Sequence, residues 1–188
     1  MKRFVLFFVL ALMIISCAKA TSQPTTTPIP STATPVPPTV FPITLSSSAF
    51  TEGQEIPVDY SCKGTNISPA LTWTEPPAGT QSLAIIMYDS QASWTHWALY
   101  NIPASTHELK KAMPTDANLS DGSKQAKTSF GKPGYGGPCP PSKHTYVFTL
   151  YALDSMLSVP TSAFSFELNS ALKGHVLAST ELTGTFTP

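Results

Sequence analysis

The stretch Gly134-Tyr-Gly-Gly-Pro-Cys-Pro-Pro-Ser-Lys-His-Thr-Tyr146, running on through Val-Phe-Thr-Leu-Tyr-Ala-Leu153, joins a loop to the strand that follows it. Gly134, Gly136 and Gly137 can reach φ > 0 and carry backbone N–H groups close to a ligand. Pro138, Pro140 and Pro141 stiffen the loop without joining it to a sheet. Beyond the loop the alternation has period two, so His144, Tyr146, Phe148 and Leu150 share one face. The polar members stand at the loop end and the apolar members deeper in, which predicts a pocket mouth at a strand end.

Working outward, the rest of the chain from Ile43 reads as short strands parted by turns, the pattern of a mainly β fold. Ile43 to Phe50 and Ile56 to Tyr60 are expected strands, and Ser68 to Trp73 is another. Ser82 to Asp89 is nearly all apolar, as a central strand buried on both faces would be. In Trp94 to Asn101, Trp94, His96, Ala98 and Tyr100 point one way and Thr95, Trp97 and Leu99 the other. Residues 104–133 show little pattern beyond a short strand near Gln125 to Ser129. Leu168, Ala171, Leu172 and His175 fall at i, i+3, i+4 and i+7, which predicts one amphipathic helix with Ser165 as N-cap and Glu167 in its first turn. A last strand, Glu181 to Thr187, closes the sheet. The expected fold is a β-sandwich with a C-terminal amphipathic helix.

The chain of 188 residues divides by composition into three parts. Residues 1–16 carry Lys2 and Arg3, an apolar run from Phe4 to Ile15, and Ser16, in the order of an export signal. The run is too short for a membrane span. Its end, Ile14-Ile15-Ser16-Cys17, resembles the lipobox of bacterial lipoproteins, which implies lipidation of Cys17. Residues 17–42 are rich in Thr, Ser, Pro and Ala, and seven of the 19 prolines lie between Pro24 and Pro42. Such a segment cannot bury enough apolar surface to fold and reads as a disordered tether. At ~3 Å per residue, ~25 residues reach up to ~75 Å from a bilayer. The globular domain is 43–188. The expected location is that of an exported bacterial lipoprotein, membrane-anchored and extracytoplasmic, in the periplasm or at the cell surface.

Lys and Arg total 11 against 11 Asp and Glu, and 9 against 11 once residues 1–16 are removed. A mildly acidic chain without a basic stripe is not built for nucleic acid. With Cys17 assigned to lipidation, Cys62 and Cys139 remain, both in loops flanking the predicted pocket, and export makes a disulfide between them the expectation.

Asp89 ends one strand, His96 lies in the next, and His144 with Tyr146 opens a third, so four polar side chains converge at one rim. A carboxylate beside imidazoles raises their pKa, giving a cluster that switches near neutral pH. Two imidazole donors with loop N–H groups suit an anion such as a phosphate or carboxylate. The same Asp89, His96 and His144 are the residue types of a two-His, one-carboxylate metal site, and an enzyme, hydrolytic or metal-dependent, stays open as the alternative. A hydrolase needs an activated nucleophile, and the chain has no Gly-x-Ser-x-Gly.

Asn66-Ile-Ser-Pro-Ala-Leu-Thr-Trp73, Tyr88-Asp89, His96-Trp-Ala-Leu-Tyr-Asn-Ile-Pro103, Gly134-Tyr-Gly-Gly-Pro-Cys-Pro-Pro141, His144-Thr-Tyr-Val-Phe148 and Gly174-His-Val-Leu-Ala178 together resemble the phosphatidylethanolamine-binding protein family. The bacterial branch described as similar to Raf kinase inhibitor protein is the nearest in wording. The resemblance spans residues 43–187 and implies a β-sandwich with a small anion pocket at one end. By motif, the ligand-binding residues it implies are Asp89, His96, Gly137, Pro140, Pro141, His144 and Tyr146. It implies binding of phospholipid head groups or other anionic small molecules without catalysis or cofactor. A protein partner of kinase or protease type, and a homodimer, stay open. The family commonly continues Pro-Asp-Ala-Pro after its pocket Asp, where this chain has Ser90-Gln91-Ala92-Ser93. That exchange removes a carboxylate, which favours an anion, and two prolines, which is expected to leave the loop freer.

If the anchor and the fold are independent, Cys17→Ser releases the protein into the soluble fraction with an unchanged melting temperature. A lowered melting temperature, or continued pelleting with membranes, would contradict that division of the chain.

Overall fold

The computed structural model describes residues 42–188; the export signal, Cys17 and nearly all of the tether lie outside them. Among these residues eight strands form two antiparallel sheets. Strands β1 (Leu45–Ser47), β2 (Leu71–Trp73) and β5 (Glu108–Leu109) make the smaller, in the order β1-β2-β5. Strands β3 (Ser82–Asp89), β4 (Trp94–Pro103), β6 (Lys124–Gln125), β7 (His144–Leu153) and β8 (Val176–Phe186) make the larger, in the order β6-β4-β3-β7-β8.

The apolar run of β3 has its cause in this order. β3 is the middle strand, hydrogen-bonded to β4 on one side and β7 on the other. Its Leu83, Ile85 and Met87 point into the core between the sheets, with Trp97, Leu99, Phe148 and Leu150. Its Ala84 and Ile86 face outward and are covered, with Ala98 and Tyr100, by Leu157, Val159, Ala163, Leu168 and Leu172. That cover is held by polar ties. Tyr100 Oη donates to Val159 O at 2.8 Å, Asn101 Nδ2 donates to Leu157 O at 3.0 Å, and Leu157 N–H donates to Asn101 Oδ1 at 2.8 Å.

Several boundaries differ from expectation. Ile56 to Tyr60 is not a strand: Ile56 N–H donates to Thr185 O at 2.7 Å, and Pro57, which has no N–H, starts a 3₁₀ turn closed by Tyr60 N–H to Pro57 O at 3.0 Å. Within 43–50 only Leu45–Ser47 pairs, and the strand expected near Gln125 to Ser129 shrinks to Lys124–Gln125. The last strand starts earlier, at Val176, and pairs along the whole of β7. The helix α1 spans Ser165–Ala171 with Phe164, not Ser165, at its N-cap, and Glu167 accepts the Phe164 N–H on Oε2 at 2.8 Å. His175 lies beyond the helix, past Gly174 at φ +85°, a left-handed conformation that suits glycine. Its Nδ1 stands 2.9 Å from Asp154 Oδ1 instead of on the helix's apolar face.

Phe148 is wholly buried between the sheets, its ring 5.8 Å from that of Phe50. Phe148→Ala is expected to cost about 3–5 kcal/mol of stability. A urea unfolding curve measures it, and a loss under about 1 kcal/mol would mean that the core closes over the gap.

Candidate functional site

Antiparallel pairing brings the end of β3 beside the starts of β4 and β7. Asp89 lies opposite Trp94 on one side and Tyr146 on the other, and His144 is two residues back along β7. His96 is two residues into β4, on the same face as Trp94. The loop between β6 and β7 folds over this end of the sheet. Together they enclose a cavity of about 230 Å³. Asp89, His96, Pro140, Pro141, His144 and Tyr146 all line it.

Asp89 is 2% exposed and is the most heavily bonded group there. Its Oδ1 accepts the N–H groups of Gln91 and Ala92, each at 3.0 Å, and its Oδ2 stands 2.7 Å from His144 Nδ1. Burial alone would raise its pKa. The hydrogen bond from His144, the Ala92 N–H, the His144 charge and the nearby Tyr146 hydroxyl outweigh burial and hold the carboxyl below its ordinary range. Asp89 is therefore a carboxylate at neutral pH.

His96 is 4% exposed, with its Nδ1 2.6 Å from Gly136 O. A carbonyl only accepts, so Nδ1 carries the proton and Nε2 of the neutral ring keeps a lone pair. The ring sits edge-on to Phe130 and Tyr146, with centroids 5.3 and 5.1 Å away. Burial lowers its pKa more than the Gly136 carbonyl, the Asp89 charge and Gly137 raise it, and the His144 charge lowers it further. The expectation of a raised imidazole pKa is thus reversed at His96, because burial outweighs the pull of the Asp89 charge.

Tyr146 is wholly buried, and its hydroxyl is a buried polar atom without a hydrogen-bond partner. Burial raises its pKa first, and the Asp89 charge adds to the rise. The hydroxyl stands near enough to that carboxylate to shift both groups without reaching a hydrogen-bonding geometry.

Gly137 does not line the cavity. Its N–H donates to Asn66 Oδ1 at 2.7 Å, and a Cβ there would lie 2.2 Å from Tyr60 O, so the glycine serves close approach of two loops. Gly136 N–H donates to His96 O at 2.9 Å. The loop N–H groups expected as ligand donors are used inside the protein at both positions, and of the three glycines only Gly134 has positive φ, +91°. Cys62 and Cys139 form the expected disulfide, with Cα atoms 5.4 Å apart. Sequence spacing missed Phe130 and Ala92 as lining residues. Phe130 lies where no period exists, and its one signal was an aromatic ring ahead of Gly131-Lys-Pro133. The loop 90–93 is not loose: it is a closed turn on Asp89, and Gln91 Oε1 accepts the Thr145 N–H at 3.1 Å.

The pKa directions set a pH dependence. A histidine with a lowered folded pKa leaves the unfolded chain binding more protons, so the stability it contributes is present above pH 6.5, its ordinary value, and falls as pH drops below it. Asp89, lowered from 3.8, adds a further loss as pH falls through its folded value. The urea midpoint should therefore fall from pH 7 to 5, and His96→Gln should flatten that interval. An equal fall in both proteins would show that His96 is not held neutral.

The family model described as phosphatidylethanolamine-binding protein matches residues 46–187. A UPF0098 protein of Methanothermobacter thermautotrophicus is 42% identical over 146 residues, covering 76% of this chain and 97% of that protein. A Mycobacterium tuberculosis protein with the provisional name lipoprotein LppC is 34% identical over 174 residues, covering 89% of this chain and 80% of its own length. Among solved structures, the phosphatidylethanolamine-binding protein homologue CT736 of Chlamydia trachomatis matches with TM-score 0.70 and 33% identity over 78% of this chain and 98% of its own. Escherichia coli YbcL, titled a member of the mammalian PEBP family, matches with TM-score 0.73 and 29% identity over the same shares. The family model, the sequence relatives and the solved structures agree, and the chain belongs to the phosphatidylethanolamine-binding protein family.

Proposed function

We propose that this chain is a lipid-anchored extracytoplasmic binding protein whose pocket takes a phosphate-like or other small anion, as in a phospholipid head group. Regulation of a protein partner of kinase or protease type, without catalysis, is its role. The observation that carries the ligand class is the Tyr146 hydroxyl, buried without a partner beside a cavity of about 230 Å³. Buried polar groups are nearly always hydrogen-bonded, so an acceptor from outside the protein completes it. His144 adds a second donor. Its Nδ1 is bound to Asp89, leaving Nε2 to carry a proton toward the ligand when the ring is charged. His96 Nε2, with its lone pair, accepts from a ligand O–H, which suits a phosphate that keeps one proton.

Among the described residues no serine or threonine lines the cavity, and Cys139 is in a disulfide, so the Asp89–His144 pair has no seryl, threonyl or free cysteine nucleophile to activate. Among the described residues no three His, Cys, Asp or Glu side chains gather as a metal-ion cluster. At the mouth, Trp94 and Phe130 are 38% and 41% exposed and pack edge to face at 5.5 Å, an apolar rim that suits a partner or the glycerol end of a head group. The lipoprotein name of the mycobacterial relative supports the anchor at Cys17.

Calorimetric titration with inorganic phosphate and phosphoethanolamine at pH 7 tests the site. Tyr146→Phe and His144→Ala should each weaken binding by roughly tenfold or more, the weight of one hydrogen bond to a charged group, about 1.5–3 kcal/mol. Asp89→Ala should also weaken it, since His144 loses its alignment; tighter binding would mean that the carboxylate's repulsion dominates. The contribution of His96, read against His96→Ala, should grow only below pH 6.5, because burial keeps the ring neutral above it. Equal affinity in wild type and all variants would move the ligand elsewhere.

A further inference from the structure

Opposite the strands, the cavity is walled by Cys139, Pro140 and Pro141. The chain on either side of this wall is well tied. Pro138 O accepts the Cys62 N–H at 3.0 Å, and from His144 onward β7 is paired with β8. Between them, residues 139–143 make none of the hydrogen bonds found among the described residues. Pro140 and Pro141 have no N–H to give. Pro140 is buried, and the one covalent tie on the segment is the bond from Cys139 to Cys62.

Cys62 is the fixed end of that bond. It follows Ser61, whose N–H and Oγ both bond Val58 O, at 3.0 and 2.8 Å, and Gly64 N–H closes the next turn on Ser61 O at 3.1 Å. Both cysteines are exposed, so a thiolate can reach either sulfur from solvent. Neither belongs to the core clusters, which pack without them.

We propose that the Cys62–Cys139 disulfide is a redox-sensitive latch on the ligand pocket: its reduction frees the Cys139-Pro140-Pro141 wall and weakens anion binding while the sandwich stays folded. The reductant is a dithiol protein of the Cys-x-x-Cys oxidoreductase class. One of its thiolates attacks an exposed sulfur to give a mixed disulfide, and its second thiol resolves it. Two electrons and two protons pass to this chain, which leaves with two thiols, and the oxidoreductase leaves as a disulfide. Position decides the effect, because the freed residues are the pocket's wall. The inference rests on the anion reading of the pocket.

The test uses the full-length protein in detergent, oxidised or reduced with dithiothreitol, with Cys62→Ser as a form that cannot bridge. Near-UV circular dichroism checks that each form is folded. Phosphate affinity, by calorimetry, is expected to fall tenfold or more in the reduced and Cys62→Ser forms and to return on reoxidation. Trypsin cleavage after Lys143, an exposed residue of the untied segment, is expected to accelerate at least tenfold. Phosphate binding that is equal in oxidised and reduced protein overturns the latch and leaves the anion site standing. Oxidised protein that binds no phosphate overturns the anion reading, and with it the control of binding. The cleavage rate then decides by itself whether the bridge restrains the wall, and an unchanged rate shows that it does not.

Discussion

One buried carboxylate organises this end of the molecule. Asp89 receives the Gln91 and Ala92 N–H groups on one oxygen and His144 Nδ1 on the other. Left unpaired, a charge so buried would cost several kcal/mol. Its three partners lie on the β3–β4 turn and at the start of β7, so satisfying the charge also fixes the turn and the first residue of the next strand. Orientation of His144 is a by-product. With Nδ1 held, only Nε2 is left to meet anything that enters.

The floor of the cavity is continuous with the core. Along β7 the buried residues Tyr146, Phe148, Leu150 and Ala152 form one row that begins beside the cavity and ends between the sheets. His96 is fixed by the Gly136 carbonyl, and Gly136 N–H returns the bond to His96 O, so loop and strand are stitched twice at one residue pair. Tyr135 extends the stitching, with its hydroxyl donating to Tyr60 O at 2.7 Å and its ring edge-on to Trp97 at 5.7 Å. Side chains on that floor cannot move without disturbing sheet packing. The wall opposite makes no hydrogen bonds among the described residues and rests on the disulfide and the burial of Pro140.

The parts of the fold that were legible in the sequence are those set by period. The continuous apolar run of β3 announced a strand covered on both faces, and the alternation from His144 announced which side chains share a face. What period cannot encode is the partner of a polar group. Asp89, His96 and His144 could be gathered from strand ends, but nothing in spacing says that Asp89 bonds His144 and leaves His96 to a carbonyl. That choice depends on a loop closing over β4, and the burial of His96 lowers its pKa. The strand expected at Ile56 to Tyr60 failed because Pro57 ends the ladder after one bridge. Phe130 stayed hidden because it reaches the cavity through tertiary contact from a segment with no regular pattern.

The exchange of the family's Pro-Asp-Ala-Pro for Ser90-Gln91-Ala92-Ser93 has a definite physical consequence. Ser93 has φ +52°, and a proline ring locks φ near −65°, so the turn seen here is closed to a chain with proline at that position. Ahead of Ser93 two successive N–H groups meet one Asp89 oxygen, and the left-handed residue then leads the chain into β4. Gln91 then uses its side-chain oxygen for the Thr145 N–H at 3.1 Å, tying the turn across to β7 next to His144. An acid at position 91 could accept the same bond but would add a second negative charge near the cavity. The neutral amide keeps the tie without that repulsion. Loss of two prolines has thus not loosened the rim. Backbone restriction has been replaced by hydrogen bonds to Asp89 and across to β7.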